Sequence, residues 1–388
     1  MIKNLFVRKF LWSLEKIKYG SLKLTTPEGK IYEFIGSYNG ENADLKIHNW
    51  QILTKLVIYG DIGFTELYRD KIVETTNLKE LLTFALRNDH ALGSYIESNI
   101  FGRFFSKIIY LINTNTLRRS KYNIQKHYDL GNDFYNLWLD NSMTYSSGIF
   151  NSAKDDLYQA QCNKYQRIID NINDSGSLLE IGCGWGGFMD HAMNHGDYQI
   201  KGITLSKSQL EYSRNRLTKY SQNVNVALED YRMQQGKYDN IISIEMFEAV
   251  GMKYWSLYFG KIKELLAKNG KAIIQTITID DNLFDRYSKG ADMIRTYIFP
   301  GGMLPSQSIF ENLAEKHGLK VQEIYKFGKD YSKTLDIWFD RFNLQYNQIK
   351  KMNFDDRFIR IWNFYLASCS ACFQVERTNV MQVQLEHL

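Results

Sequence analysis

The 388-residue chain has no run of about 18 consecutive apolar residues, the length a membrane-crossing helix needs. Its first residues show no short apolar core followed by a small-residue cleavage site. The expectation is a cytoplasmic protein with neither a spanning helix nor a secretory leader. Cysteine is sparse, and the four present form neither the paired ligand sets of a zinc site nor a disulfide framework, so they read as reduced thiols. Cys369 and Cys372 have redox-pair spacing but lie in a helix-like run, from 364 to 369, rather than after a strand, which argues against a redox role. His127 and His191 stand beside apolar segments without other ligands, read as packed or hydrogen-bonded residues, and leave no metal assigned. Internal repeats, low-complexity linkers and recognised nucleic-acid motifs are lacking, and most of the chain is close to neutral, so nucleic acid is not an expected partner.

What charge there is lies in front. Residues 1–125 hold 18 Lys/Arg against 12 Asp/Glu, while residues 126–388 hold 30 against 31. From Met1 to Tyr19, Leu5, Phe6, Phe10, Leu11, Leu14 and Ile17 alternate with Lys3, Arg8, Lys9, Lys16 and Lys18 around Trp12, a basic amphipathic helix pattern. A second such segment runs from Phe101 to Lys121. Either could meet an anionic membrane surface or pack its apolar face into the protein. Between them, strand-like runs near 20–25, 31–35 and 43–47 with a Pro27-Glu28-Gly29 turn predict a small α+β module, giving domains 1–120 and 121–388.

The most informative stretch is Leu178-Leu179-Glu180-Ile181-Gly182-Cys183-Gly184-Trp185-Gly186-Gly187. An apolar strand meets an acid and then glycines at positions where the backbone must turn tightly and approach a ligand closely. Glu-x-Gly-x-Gly, with the acid before the turn, resembles motif I of S-adenosylmethionine-dependent methyltransferases. Strand-like runs follow at 201–206, 223–228, 238–244 and 271–277, with a Ser-capped helix from Lys207 to Tyr220. Two of these strands end on acids, Glu229-Asp230 and Glu245, placed to meet an adenosine. The pattern predicts an α/β, Rossmann-like open sheet of the class I methyltransferase type with its ligand at the carboxyl ends of the strands.

Several further blocks occur in a fixed order: His127-Tyr128-Asp129-Leu130-Gly131, Met143-Thr144-Tyr145-Ser146, Gly202-Ile203-Thr204-Leu205-Ser206-x-x-Gln209, Phe247-Glu248-x-Val250-Gly251, Tyr297-x-Phe299-Pro300-Gly301-Gly302, Asp330-Tyr331-x-Lys333-Thr334 and Trp338-Phe339-x-Arg341-Phe342. Together with the glycine turn they closely resemble the cyclopropane-fatty-acyl-phospholipid synthases and mycolic acid methyltransferases over residues 120–388. Gly60-Asp61-Ile62-Gly63-Phe64-Thr65-Glu66 in the front module also looks like the N-terminal domain of full-length bacterial synthases.

The resemblance implies electrophilic chemistry. A cis double bond in an acyl chain attacks the sulfonium methyl of S-adenosylmethionine, a base removes a methyl proton, and the ring closes. An alkene is a weak nucleophile, so it must be held in a dry aromatic slot, to which the 14% aromatic content is suited. The family's base is a bound bicarbonate, and its grip falls by motif on Ser147, Glu248, Gln275, Ile277 and Tyr331. Ser147 stands where the family has Cys, tolerable if the main-chain N–H is the donor. Gln275 stands where it has His, and its amide can donate to an anion but cannot carry a proton. For the cofactor, Tyr145 and Ser146 are expected over the methionine end, Glu180, Gly182, Gly184 and Gly186 along it, Thr204 and Gln209 at the ribose, and Glu229 and Asp230 at the adenine edge. The expected enzyme acts on unsaturated phospholipid acyl chains from the inner membrane face, with a homodimer left open. Alternatives are a C-methyltransferase giving a branched product or acting on a non-lipid molecule, and a lipid-binding protein with an inactive methyltransferase body.

Overall fold

The computed structural model describes residues 2–91 and 130–388. The basic segment Phe101 to Lys121, the His127-Tyr128-Asp129 block and the boundary near residue 120 lie outside the described residues. The chain divides into two compact units, and the division is not the sequential one expected. Among the described residues, the first unit takes 2–91 together with 286–298 and 343–377, and the second takes 130–285, 299–342 and 378–388.

In the first unit, helix α1 (Ile2–Leu14) leads into a four-stranded sheet of β1 (Tyr19–Thr25), β2 (Ile31–Ile35), β3 (Tyr38–Ile47) and β4 (Val73–Glu74), in the order β2-β1-β3-β4. Helices α2 (Gln51–Arg69) and α3 (Leu78–Arg87) complete the front module. The amphipathic reading of the N-terminus meets a packing answer: Phe10, Leu14 and Ile17 are buried in the module's core, while Phe6 and Trp12 remain exposed.

The later stretches join this unit because helix α8 (Asp356–Gln374) is apolar along one face and finds its partners there. Phe364 packs on Phe64 and Tyr68 with ring centroids 6.0 and 5.8 Å apart. Arg360 Nε donates to the Tyr68 carbonyl at 2.6 Å, and Arg377 reaches the Leu86 carbonyl and Asp89. Tyr297 donates to Glu66, which also pairs with Lys55, so the Gly60 to Glu66 motif is read by a residue more than 200 positions away. Gly60 itself, at φ +57°, breaks the helical path of α2, a conformation that glycine adopts without penalty.

The second unit is a seven-stranded sheet in the order β10-β11-β9-β8-β5-β6-β7. Its strands are β5 (Ser175–Ile181), β6 (Asp197–Thr204), β7 (Val224–Leu228), β8 (Tyr238–Ile244), β9 (Leu266–Ile279), β10 (Leu319–Lys326) and β11 (Thr378–His387). Strands β5 to β9 run parallel, and β11 is antiparallel to both β9 and β10. The strand order reverses between β5 and β8, and a crevice at such a point is where open α/β sheets place ligands. The expected strands all form, and the expected helix from Lys207 is α5 (Lys207–Arg216), capped by Ser206 and followed by a separate turn of 3-10 helix at Thr218–Tyr220. Helices α4 (Leu157–Asp170), α6 (Trp255–Leu265) and α7 (Gly328–Leu344) belong to the same unit's sequence span. Helix α4 buries Leu157, Ala160, Gln161, Lys164, Tyr165, Ile168 and Ile169, a stripe at helical spacing in which Gln161 and Lys164 are the polar exceptions.

Candidate active site

The glycine turn at the end of β5 is built as its sequence requires. Gly182, Gly184 and Gly186 have φ of +81°, +52° and +83°, and the Gly182 and Cys183 amides both donate to the Ile203 carbonyl of β6. A Cβ at Gly184 would meet nothing within 4 Å, so this bend of the turn borders open space. Glu180, at the last positions of β5, is 3% exposed, and its Oε2 has no hydrogen-bond partner. Burial raises its carboxyl to about 8, against which the Lys164 charge acts. An unpartnered buried carboxyl beside a glycine cradle fits the cationic methionine end of S-adenosylmethionine. Thr204 and Gln209 come together, Oγ1 donating to Oε1 at 2.9 Å, at the end of β6. At the end of β7, Glu229 pairs with Lys201 at 2.8 Å and Asp230 with Arg232 at 2.6 Å, so these two acids carry local ion pairs as well as bordering the expected adenine edge.

Aromatic rings crowd the approach. Tyr145 lies 5.3 Å from Trp338, 5.4 Å from Tyr135 and 5.5 Å from Trp138 between ring centroids, and Trp138 stacks edge-on to Trp338. Ser146 is tied down from below: Lys164 Nζ donates to its hydroxyl at 2.6 Å and Gln161 to its carbonyl at 2.8 Å. The Lys164 ammonium is fully buried, which lowers it to about 7, while Glu245, Asp140 and Glu180 act in the opposite direction.

Of the five residues expected to hold an anion, three converge on a carboxylate of the chain itself, Glu245, and the other two, Ile277 and Glu248, bond to each other. Ser147 N–H donates to Glu245 Oε1 at 2.9 Å, the Gln275 amide donates to the same oxygen at 2.8 Å, and the Tyr331 hydroxyl donates to Oε2. Ile277 N–H donates to Glu248. The Gln275 amide is oriented by Gln382, its partner across the β9/β11 ladder, which donates to its carbonyl oxygen at 3.0 Å and leaves the NH2 facing the carboxylate. Glu245 sits just past β8 at φ +49°, a left-handed conformation that costs a side-chain-bearing residue about 1–2 kcal/mol. Its own N–H is anchored to the Gln275 carbonyl at 2.8 Å.

Glu245 and Glu248 share this pocket. Burial raises both carboxyls, and the Glu245 charge pushes Glu248 further, to about 8. Glu245 is the member that keeps the charge, because three donors and the nearby Lys164 favour its anion, whereas Glu248 carries the proton near neutrality. Glu245 had been expected toward an adenosine as one of the acid-tipped strands. Its sequence signal was visible, but the left-handed turn that aims it at Ser147, Gln275 and Tyr331 was not. His191 accepts or donates a hydrogen bond with Gln166 and stacks on His195 at 4.1 Å.

A sequence model described as mycolic acid cyclopropane synthetase matches residues 115–383. The chain belongs to this family. It is an S-adenosylmethionine-dependent methyltransferase by that membership, as the glycine turn indicated. The tuberculostearic acid methyltransferase of Mycobacterium tuberculosis is 34% identical over 68% of this chain, and that alignment covers 64% of the relative, just under two thirds of its length. The cyclopropane-fatty-acyl-phospholipid synthase of Escherichia coli is 30% identical over 88% of this chain and 87% of its own. Among solved structures, the mycolic acid cyclopropane synthase CmaA1 complexed with SAH and CTAB superposes with a TM-score of 0.64 and 30% identity, covering 68% of this chain and 97% of that one.

Proposed function

We propose that the protein transfers the methyl group of S-adenosylmethionine to the cis double bond of unsaturated phospholipid acyl chains and closes a cyclopropane ring. The observation that carries this reading is the junction, at the carboxyl ends of β5, β8 and β9, of a glycine cradle, a carboxylate pair and the Tyr135/Trp138/Tyr145/Trp338 aromatic wall. The cofactor supplies an electrophilic methyl when bound. Glu180 and the glycine turn hold its methionine end, and Thr204 with Gln209 its ribose. The aromatic wall holds the alkene and keeps water away from the cation that forms, and a carboxylate receives the proton. Phospholipid is favoured over a mycolic substrate because the likeness to the Escherichia coli synthase extends through the front module, whereas the likeness to the mycolic synthase structure covers 68% of the chain.

Attachment to the inner membrane face belongs to the same reading. Phe6 and Trp12 are 44% and 58% exposed on α1, with Lys16 over the Trp12 ring, an arrangement suited to an anionic headgroup layer. A second reading, a methyl- or methylene-branched product, is favoured by the 34% identity to the tuberculostearic acid methyltransferase. Incubation of the purified chain with S-adenosylmethionine and oleoyl phospholipid vesicles, followed by proton NMR of the extracted lipid, tests both. High-field cyclopropane signals are expected. Olefinic methylene or branch-methyl signals in their place would favour the second reading, and unchanged lipid would overturn both.

A further inference from the structure

The family's bicarbonate does not fit the seat expected for it. Of the groups assigned to grip that ion, the Ser147 N–H, the Gln275 amide and the Tyr331 hydroxyl are all engaged by Glu245, and the Ile277 N–H by Glu248. A bicarbonate added here would find its donors occupied and would stand beside the Glu245 charge and the Glu248 carboxyl.

We propose that Glu245 takes the place of the external anion and is itself the general base, so that this enzyme works without bicarbonate. Three observations carry it. The donors are those that an anion-binding site needs, one main-chain N–H, one amide and one hydroxyl, drawn from three separate stretches of the chain and converging on two oxygens. The Gln382-to-Gln275 relay fixes the amide with its donor side toward Glu245, which is why a residue unable to hold a proton serves at this position. The backbone reaches this arrangement only by holding Glu245 in a left-handed conformation, at φ +49°, unusual for a residue with a side chain.

A carboxylate offers about four acceptor positions. Two on Oε1 receive Ser147 and Gln275, one on Oε2 receives Tyr331, and one on Oε2 remains for the transferred proton. The reaction balances without a further reagent. The alkene π pair forms the new carbon–carbon bond to the methyl, the carbon–sulfur pair stays on sulfur, and the substrate becomes a cation. Glu245 then removes one proton from the carbon just transferred, and the released C–H pair closes the ring on the cationic carbon. The proton ends on Glu245 and is returned to solvent between turnovers.

This inference rests on the proposed acyl-chain reaction for its chemistry, but the seat can be tested without it. Because residue 245 is left-handed, Glu245→Gly empties the seat with no backbone penalty, and Glu245→Gln keeps it filled without a base. Binding of 13C-bicarbonate, followed by carbon NMR, is expected for Glu245→Gly and not for the native chain or Glu245→Gln. Binding to the native chain at the same concentration would overturn the proposal whatever the substrate proves to be. In bicarbonate-depleted buffer, native turnover on oleoyl phospholipid is expected to be unchanged by added bicarbonate. Both variants should lose about 10²–10⁴-fold, the range for losing a general base, with S-adenosylmethionine affinity by calorimetry unaltered. Added bicarbonate should restore Glu245→Gly and leave Glu245→Gln inactive. Native activity that rises with bicarbonate, or a Glu245→Gly enzyme as fast as native in depleted buffer, would overturn it. A native chain inactive on oleoyl phospholipid with the expected bicarbonate-binding pattern would indict the substrate reading and leave the occupied seat standing.

Discussion

Glu180 and Glu245 are carboxyls of the same pocket with opposite assignments, and their environments separate them. Glu180 has a free buried oxygen and is raised to about 8, so near neutrality the free enzyme holds it largely as the acid. A cation seated against it favours the anion, lowers that value and expels a proton. S-adenosylmethionine affinity is therefore expected to rise with pH up to about 8 and then level. Calorimetry in two buffers of different ionisation enthalpy should show proton release on binding, and Glu180→Gln should abolish it. Glu245 has its donors in place and works as the anion, so its raised value sets the acid limb of kcat above the ordinary carboxylate range. Glu248→Gln is expected to retain turnover and to leave the acid limb of kcat in place, since Glu248 already holds its proton when Glu245 ionises. A dead Glu248→Gln enzyme with intact cofactor affinity would instead make Glu248 the base.

At the scale of elements, the site is a product of strand register. Gln382 on β11 meets Gln275 on β9 because the two are direct partners in the antiparallel ladder, and β9 meets the end of β8 through the Glu245 N–H. Gln382→Leu leaves the Gln275 carbonyl buried without its donor and frees the amide to turn over, presenting an acceptor to a carboxylate. Turnover is expected to fall about tenfold and stability by about 1–3 kcal/mol, measured by steady-state kinetics and denaturant titration, with cofactor affinity unchanged. Much of this was legible beforehand. The parallel strands followed from apolar runs ending in acids, the cradle from four glycines, and the four donors with Glu248 from ordered motifs. What the chain does not spell out is pairing between distant strands: nothing near Gln382 announces Gln275, and nothing near Glu245 announces a left-handed residue. Local pattern fixes which faces are apolar, while the meeting of polar groups across a sheet depends on register.

At the scale of the whole molecule, the two units are interleaved because α8 carries an apolar face that belongs to the front module. Composition could not reveal this, since a helix buried against one unit reads the same as a helix buried against another. Trp362 is 2% exposed between Phe358 and Tyr365, and Trp362→Ala is expected to destabilise the first unit by about 3–5 kcal/mol. Hydrogen exchange should report the loss in β1 and β3 before β5 and β6. The proposed membrane attachment is best probed in the full chain for the same reason. Phe6→Ser with Trp12→Ser should weaken sedimentation with anionic vesicles, in a salt-sensitive way, while binding equal to native would exclude α1 as the contact.

The interleaving also sets a timetable for biosynthesis. A chain emerging from the ribosome presents β1 to β3 early, yet Arg377, which closes on Leu86 and Asp89, follows Asp89 by 288 positions. Strand β11, which carries Gln382 and completes the other unit's sheet, arrives later still. Neither unit is complete until residues 343–388 have been made, the first needing 343–377 and the second 378–388. Nascent chains stalled short of residue 343 should remain protease-sensitive in both units, since 343–377 belongs to the first and 378–388 to the second.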